Sequence, residues 1–163
     1  MRAIRFAAQL DFRIDAATLS SMRTHASRIS IVAPERVAVE FNKIMQVAKP
    51  SYGLGLLYTS GLLQEVLPEL IALKGIEEVE GQTHKDNFYH TLEVVDNLAK
   101  ASDNLWLRWA ALLHDIAKPR TKKFIKPHGW TFRGHEFLGG KMVPKIFKRL
   151  QLPTDARMNF VVK

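Results

Sequence analysis

His114 and Asp115 stand side by side at the end of an apolar run containing Leu105, Trp106, Trp109, Ala110, Leu112 and Leu113. His90 lies one element upstream. An imidazole beside a carboxylate is costly to bury unless the two are paired or bound to a cation. Histidine nitrogens and an aspartate oxygen together suit a borderline divalent transition metal. An ion held there would bring the pKa of bound water toward neutrality, and phosphate esters are the natural target of such chemistry. The alternative is a hydrogen-bonded His–Asp pair that plugs a helix end. His135, within Phe132-Arg-Gly-His-Glu136, is a further candidate ligand, or else a helix cap or a phosphate contact. His25, His84 and His128 read as surface histidines, and Asp155, just after Pro153, reads as a first-turn acid.

The elements that must position these groups read as helices. Residues 86–101 form one, capped by Asp86, with His90 facing inward on a stripe with Val94 and Leu98. Residues 104–118 are apolar almost all round, which predicts a buried central helix ended by Pro119. Residues 122–132 predict one short β-hairpin turning through Pro127-His128-Gly129. Helix returns over 135–150 and again after Pro153. Upstream, residues 2–10 form an amphipathic helix with Arg2, Arg5 and Gln9 on one stripe. A second helix, capped by Thr18, runs to about Ser30. Pro34 opens a third, with Glu35 at its positive end and Val37, Phe41, Ile44 and Ala48 as its buried stripe. Pro50-Ser-Tyr-Gly53 breaks the pattern, and short helices follow around 54–59, 61–66 and 68–73. The Glu-rich stretch from Gly75 to Gly81 reads as a linker, dividing 1–80 from 81–163 in an all-α protein.

The chain of 163 residues is long enough to bury a core, and its net charge of +8 points to a polyanionic partner such as nucleic acid. Candidate phosphate contacts are Arg2, Arg5 and Arg13, and Lys141, Lys145, Lys148 and Arg149 along one side of a helix. Each group could equally be a solvated face. Arg36 and Glu40 are spaced to pair on a helix surface. With no cysteine, disulfides and thiol chemistry are excluded. No stretch reaches the length of a membrane span, and a cytoplasmic protein is the expectation.

The run Ala110-Ala-Leu-Leu-His-Asp-Ile-Ala-Lys-Pro119, preceded by His90, resembles the HD phosphohydrolase superfamily. There a first His, the His-Asp doublet and a later Asp hold one or two metals. The resemblance implies His90, His114 and Asp115 as ligands of a divalent ion, a transition metal or magnesium, and places the later Asp beyond Lys163. Read in order, Arg2 to Asp15, Pro34-Glu-Arg36 with Glu40, Gly61-Leu-Leu and Leu67-Pro-Glu-Leu70 resemble the neck and body of bacterial CCA-adding enzymes and their poly(A) polymerase relatives. The continuation into His84-Lys-Asp-Asn-Phe-Tyr-His-Thr-Leu92, Ala110 to Pro119 and Gly129-Trp-Thr-Phe-Arg-Gly-His-Glu136 resembles a subset of them. The subset implied is the one carrying an HD domain. The expectation is an RNA-binding neck and body over 1–80 and a C-terminally incomplete HD bundle over 81–163, with tRNA or another RNA as partner. Arg2, Arg5 and Arg13 would contact the acceptor stem or the surroundings of the incoming nucleotide, while Glu35 and Arg36 would brace the neck. The family's nucleotidyltransferase head, which uses magnesium and nucleotides, precedes this segment. Its acidic pair and Glu-Asp-x-x-Arg motif do not occur here, so nucleotide addition is not expected of this chain. Two other readings stand beside this one: an autonomous metal-dependent nucleotide phosphohydrolase, and an RNA-binding module with an inactive HD site.

Overall fold

The computed structural model describes residues 1–163. The chain is all-α. Helices α1 (Arg2–Leu10) and α2 (Ala16–Thr24) lead into a 3-10 helix (Ala26–Ile31), then α3 (Pro34–Met45), α4 (Pro50–Thr59), α5 (Leu62–Val66) and α6 (Pro68–Ile71). A two-stranded hairpin follows, β1 (Glu78–Val79) and β2 (Gln82–Thr83). Next come α7 (Asn87–Ala101), α8 (Leu105–Leu113) and α9 (Lys118–Thr121). A second hairpin, β3 (Lys123–Ile125) and β4 (Gly129–Thr131), precedes α10 (His135–Arg149) and α11 (Ala156–Val162).

The helices start where capping chemistry allows. Asp86 accepts from the amides of Phe88 and Tyr89 to open α7, and Asn104 does the same for Trp106 and Leu107 in α8. Pro34 stands in the first turn of α3, whose buried residues Val37, Ala38, Phe41, Ile44 and Met45 follow helical spacing. A single hydrophobic cluster of 30 residues runs from Ile4 to Val161, so the core is continuous across residues 75–81. At its middle the Trp109 ring of α8 stacks on Phe41 of α3 at 5.1 Å and meets Phe147 of α10 edge-on at 5.9 Å. The indole N–H of Trp109 donates to Asn42 at 2.8 Å, so a large apolar ring is buried without orphaning its polar atom.

Several boundaries differ from the sequence reading, each for a local reason. Asp15, not Thr18, caps α2, its carboxylate accepting from the Thr18 amide, and the helix tightens to 3-10 after Thr24. Helix α3 stops at Met45, leaving Ala48 exposed, because the Met45 and Val47 carbonyls turn to Arg108. Pro50 begins α4 rather than breaking a helix. The Ser51 amide and hydroxyl find the Asp96 carboxylate of α7 at 2.8 and 2.6 Å. Likewise Pro119 stands at the start of α9, and the central helix ends earlier, at Leu113. The expected linker folds into the β1–β2 hairpin, where the Gln82 carbonyl accepts from the Trp130 indole of β4.

Helix α4 crosses its neighbours closely at Gly53. A Cβ there would lie 2.4 Å from Cγ2 of Ile44 and 3.2 Å from Cβ of Ala8. The Gly53→Ala variant should therefore lose about 1–3 kcal/mol through overpacking, despite the better helix propensity of alanine. A urea unfolding midpoint at or above the wild-type value would refute that close crossing.

Candidate functional site

His114 caps the end of α8, and Asp115 begins the turn that leads into α9. The Asp115 side chain is almost wholly buried, at 3% exposure, whereas His114 is over a third exposed. His90 comes from the first turn of α7 and lies half-buried, with its ring 5.9 Å from that of His114. Potential ligand atoms of His90, His114 and Asp115 all lie within 4.8 Å of one another. His135, at the start of α10, turns Nε2 toward the other Asp115 oxygen at 3.5 Å. Residues from α7, the end of α8 and the start of α10 thus gather around one carboxylate.

These groups fit a divalent cation. His114 Nδ1 lies 2.7 Å from the Ala111 carbonyl, and His135 Nδ1 lies 2.8 Å from that of Phe132. A carbonyl only accepts, so each Nδ1 carries its hydrogen and Nε2 faces Asp115. In the metal-free chain His114 donates from Nε2 to the carboxylate, and loss of that proton would free the Nε2 lone pair for a cation. This backbone orientation of the far nitrogen is the usual support of a metal-binding histidine. Two groups approach the buried Asp115 oxygen nearest His114. His114 Nε2 lies 3.2 Å away and the Lys118 ammonium 2.7 Å away. The Lys85 ammonium lies 2.8 Å from His90 Nδ1.

Charge follows this geometry. The hydrogen bond to Asp115 holds the His114 imidazole above its ordinary value, outweighing desolvation. Burial pushes the Asp115 carboxyl up, but hydrogen bonds from His114 and Lys118 outweigh it and hold it down at about 2. Burial, then the charge of Lys85, pushes His90 down. In the metal-free chain, charged His114 adds stability that is complete below its ordinary pKa of 6.5 and is lost as pH rises through the raised folded value. Metal binding has the opposite sign, because only the neutral ring ligates. Calorimetric titration with manganese or nickel should show tighter binding at about pH 8 than at about pH 6, with protons released on binding. Affinity flat across that range would remove His114 from the ligand set.

The remaining histidines divide. His25 and His128 are exposed. His84 is not a plain surface residue: it accepts from the Glu77 amide and packs edge-on against Trp130 at 5.1 Å. Asp155 caps α11, accepting from the Arg157 amide at 2.9 Å.

Among the basic and neck candidates, Arg2, Glu35 and Arg36 line one cleft of about 450 Å³ between α1 and α3. Arg5 is turned inward, pairing with Glu40 at 2.8 Å with both side chains largely buried, so Glu40 is taken by Arg5 rather than by Arg36. Arg13 stands apart and exposed between α1 and α2. Lys141, Lys145 and Lys148 are exposed on α10, whereas Arg149 is drawn to Glu69 of α6 by two contacts of 2.7 Å. The sequence reading missed Lys85 and Lys118, whose ammonium groups reach the site. Their spacing on either side of the histidines was the available signal.

This is an all-helical protein in which an HD-type histidine–aspartate cluster is built on the same core as a second helical region. Comparison with known proteins agrees. Residues 87–161 match the HD domain, and residues 11–74 match the family described as "Probable RNA and SrmB- binding site of polymerase A". The chain is 35% identical over 162 residues to the multifunctional CCA protein of Azoarcus sp. (strain BH72), covering 96% of this chain and 38% of that protein. It is 34% identical over 163 residues to that of Vibrio campbellii, covering 96% and 39%, and 35% identical over 161 residues to that of Ralstonia nicotianae, covering 96% and 37%. The chain belongs to the CCA-adding enzyme family and spans under two-fifths of the length of these relatives. No helix is long and apolar enough to cross a membrane.

Proposed function

We propose that this chain supplies the RNA-binding and phosphohydrolase parts of a CCA-adding enzyme, holding the acceptor end of tRNA and hydrolysing phosphate esters at RNA ends at the His90–His114–Asp115 site. The carrying observation is the buried Asp115 carboxylate, with the Nε2 atoms of His114 and His135 held toward it by the backbone contacts of their Nδ1 atoms and His90 beside it. A divalent ion, when bound, activates water and polarises the phosphoryl group. His90, His114 and Asp115 would hold it, with His135 as a further ligand or orienting group. The Lys85 and Lys118 ammonium groups at the same site offer charge to phosphate oxygens. RNA binding is supported by the match over residues 11–74, the +8 charge, and the exposed Lys141, Lys145 and Lys148 on one face of α10. Arg2 and Arg13 are further RNA contacts away from that face, and Glu35 and Arg36 brace the neck.

The test is phosphate release from an RNA oligonucleotide with a 2′,3′-cyclic or 3′-phosphate end, in manganese, nickel or magnesium. The expected result is release that the His114→Ala, Asp115→Ala double variant abolishes while RNA binding stays unchanged. Release that persists in the double variant would place the activity elsewhere. A second reading is an RNA-binding module whose HD cluster holds no metal. It is favoured by Lys118 and Lys85, which already neutralise Asp115 and occupy His90. Absence of both metal binding and release, with RNA binding retained, would select it.

A further inference from the structure

A cleft of about 760 Å³ lies at the ends of α1 and α3 and the start of α4, and shares no residue with the His–Asp cluster. Its lining includes Gln9, Asp11, Lys43, Gln46, Lys49 and Tyr52. From these residues we infer that the cleft is a binding site for single-stranded RNA, with Lys43 and Lys49 on consecutive phosphates and the exposed Phe12 ring under a base. This rests on the RNA-binding reading above and adds to it a particular cleft and an unpaired strand as its occupant.

Three observations carry the inference. First, the charge is uncommitted. Lys43 and Lys49 are both exposed and neither forms an ion pair, whereas Arg5, Lys118, Lys122, Lys126, Arg149 and Arg157 all do. Asp11 is the one carboxylate on the lining, so the rim is net cationic. Second, the site is prebuilt. The Val47-Ala48-Lys49 segment is pinned from below by Arg108, which donates to the Val47 carbonyl at 2.9 Å, and beyond it Ser51 is pinned by Asp96. A rigid loop lets its lysine bind at lower ordering cost. Third, an aromatic ring is held in solvent. The Tyr52 hydroxyl donates to the Phe12 carbonyl at 2.7 Å, fixing the rim segment, and the Phe12 side chain is left 60% exposed. A cationic groove with an exposed aromatic is the sequence-tolerant recipe for single strands, in which lysines follow the backbone and the ring stacks a base. Glutamines 9 and 46 add amide donors and acceptors for base or sugar edges. The volume is within the range of about 300–1,000 Å³ common to ligand sites.

The experiment uses the full 163-residue chain and a fluorescently labelled oligo(A) single strand, titrated over a range of salt concentrations. In the Lys43→Gln, Lys49→Gln double variant, affinity should fall about tenfold or more at low salt, and the slope of log affinity against log salt should shrink by about 1.4, as for two lost phosphate contacts. Phe12→Ala should weaken binding about tenfold with the slope unchanged, the mark of lost stacking rather than lost charge. All the substituted side chains are exposed, and unchanged melting temperatures confirm that the fold is intact. Wild-type affinity and slope in the double variant would overturn the proposal, as would loss confined to a Lys141, Lys145, Lys148 triple variant. If the wild-type chain binds no RNA at any salt, the RNA-binding reading itself fails and this proposal falls with it.

Discussion

Replacing Arg108 with alanine should destabilise the chain by at least about 4 kcal/mol, a large fraction of the total stability of a domain of this size. The side chain is buried, at 1% exposure, in the turns of α8. Its guanidinium donates to the carbonyls of Met45 and Val47 at 2.8 and 2.9 Å, and to those of Ala99 and Ser102 at 3.2 and 2.9 Å. These carbonyls close α3 and α7, so one cation sits where the negative ends of two helix dipoles converge. Removal leaves several buried acceptors unpaired at about 1–3 kcal/mol each and opens a cavity. Arg108→Lys should recover only part of the loss, because an ammonium has three donors and no planar fork. Because α3 and α7 lie on opposite sides of residues 75–81, the variant should lower one shared unfolding transition rather than split it. Urea denaturation followed by tryptophan fluorescence measures this. A loss below about 1 kcal/mol, or a new separate transition, would contradict the role described for Arg108.

Asp115→Ala should lower divalent-metal affinity by at least about a hundredfold, beyond the tenfold to hundredfold usual for groups outside the ligand shell. His135→Ala should cost about tenfold if that ring only orients the carboxylate across its 3.5 Å gap. Equal losses in the two variants would instead make His135 a ligand. The Asp115 change also strips His114 and Lys118 of their shared acceptor. The variant's His114 should therefore lose its raised pKa, and proton resonances of the ring report this independently of metal. Asp115→Ala that binds manganese or nickel within about threefold of wild type would disqualify this carboxylate as a ligand.

Much of the fold was legible in the residues themselves. Spacing of Val37, Phe41 and Ile44, the cap at Asp86, and the Pro127-His128-Gly129 turn are local signals, and helices and hairpin formed where those signals stand. Helical phase put His90 on a buried stripe with Val94 and Leu98, whereas α7 buries Phe88, Thr91, Leu92 and Val95 and brings His90 to His114 from its half-exposed flank. The ends of α1 and α7 were legible too, but other helix ends were not. Where α3 stops, why Pro50 starts a helix, and why Ala48 lies in a cleft wall depend on Arg108 and Asp96, more than 40 residues away. Nor could partners of charged groups be read locally. Helical spacing pairs Glu40 with Arg36, yet the fold brings Arg5 to it, and Arg149 leaves the basic face of α10 for Glu69. Periodicity and capping act within a few residues and are written in the sequence. Orphan carbonyls, buried carboxylates and free lysines are settled only when distant segments pack, because a buried polar group takes whichever partner the tertiary structure brings within reach.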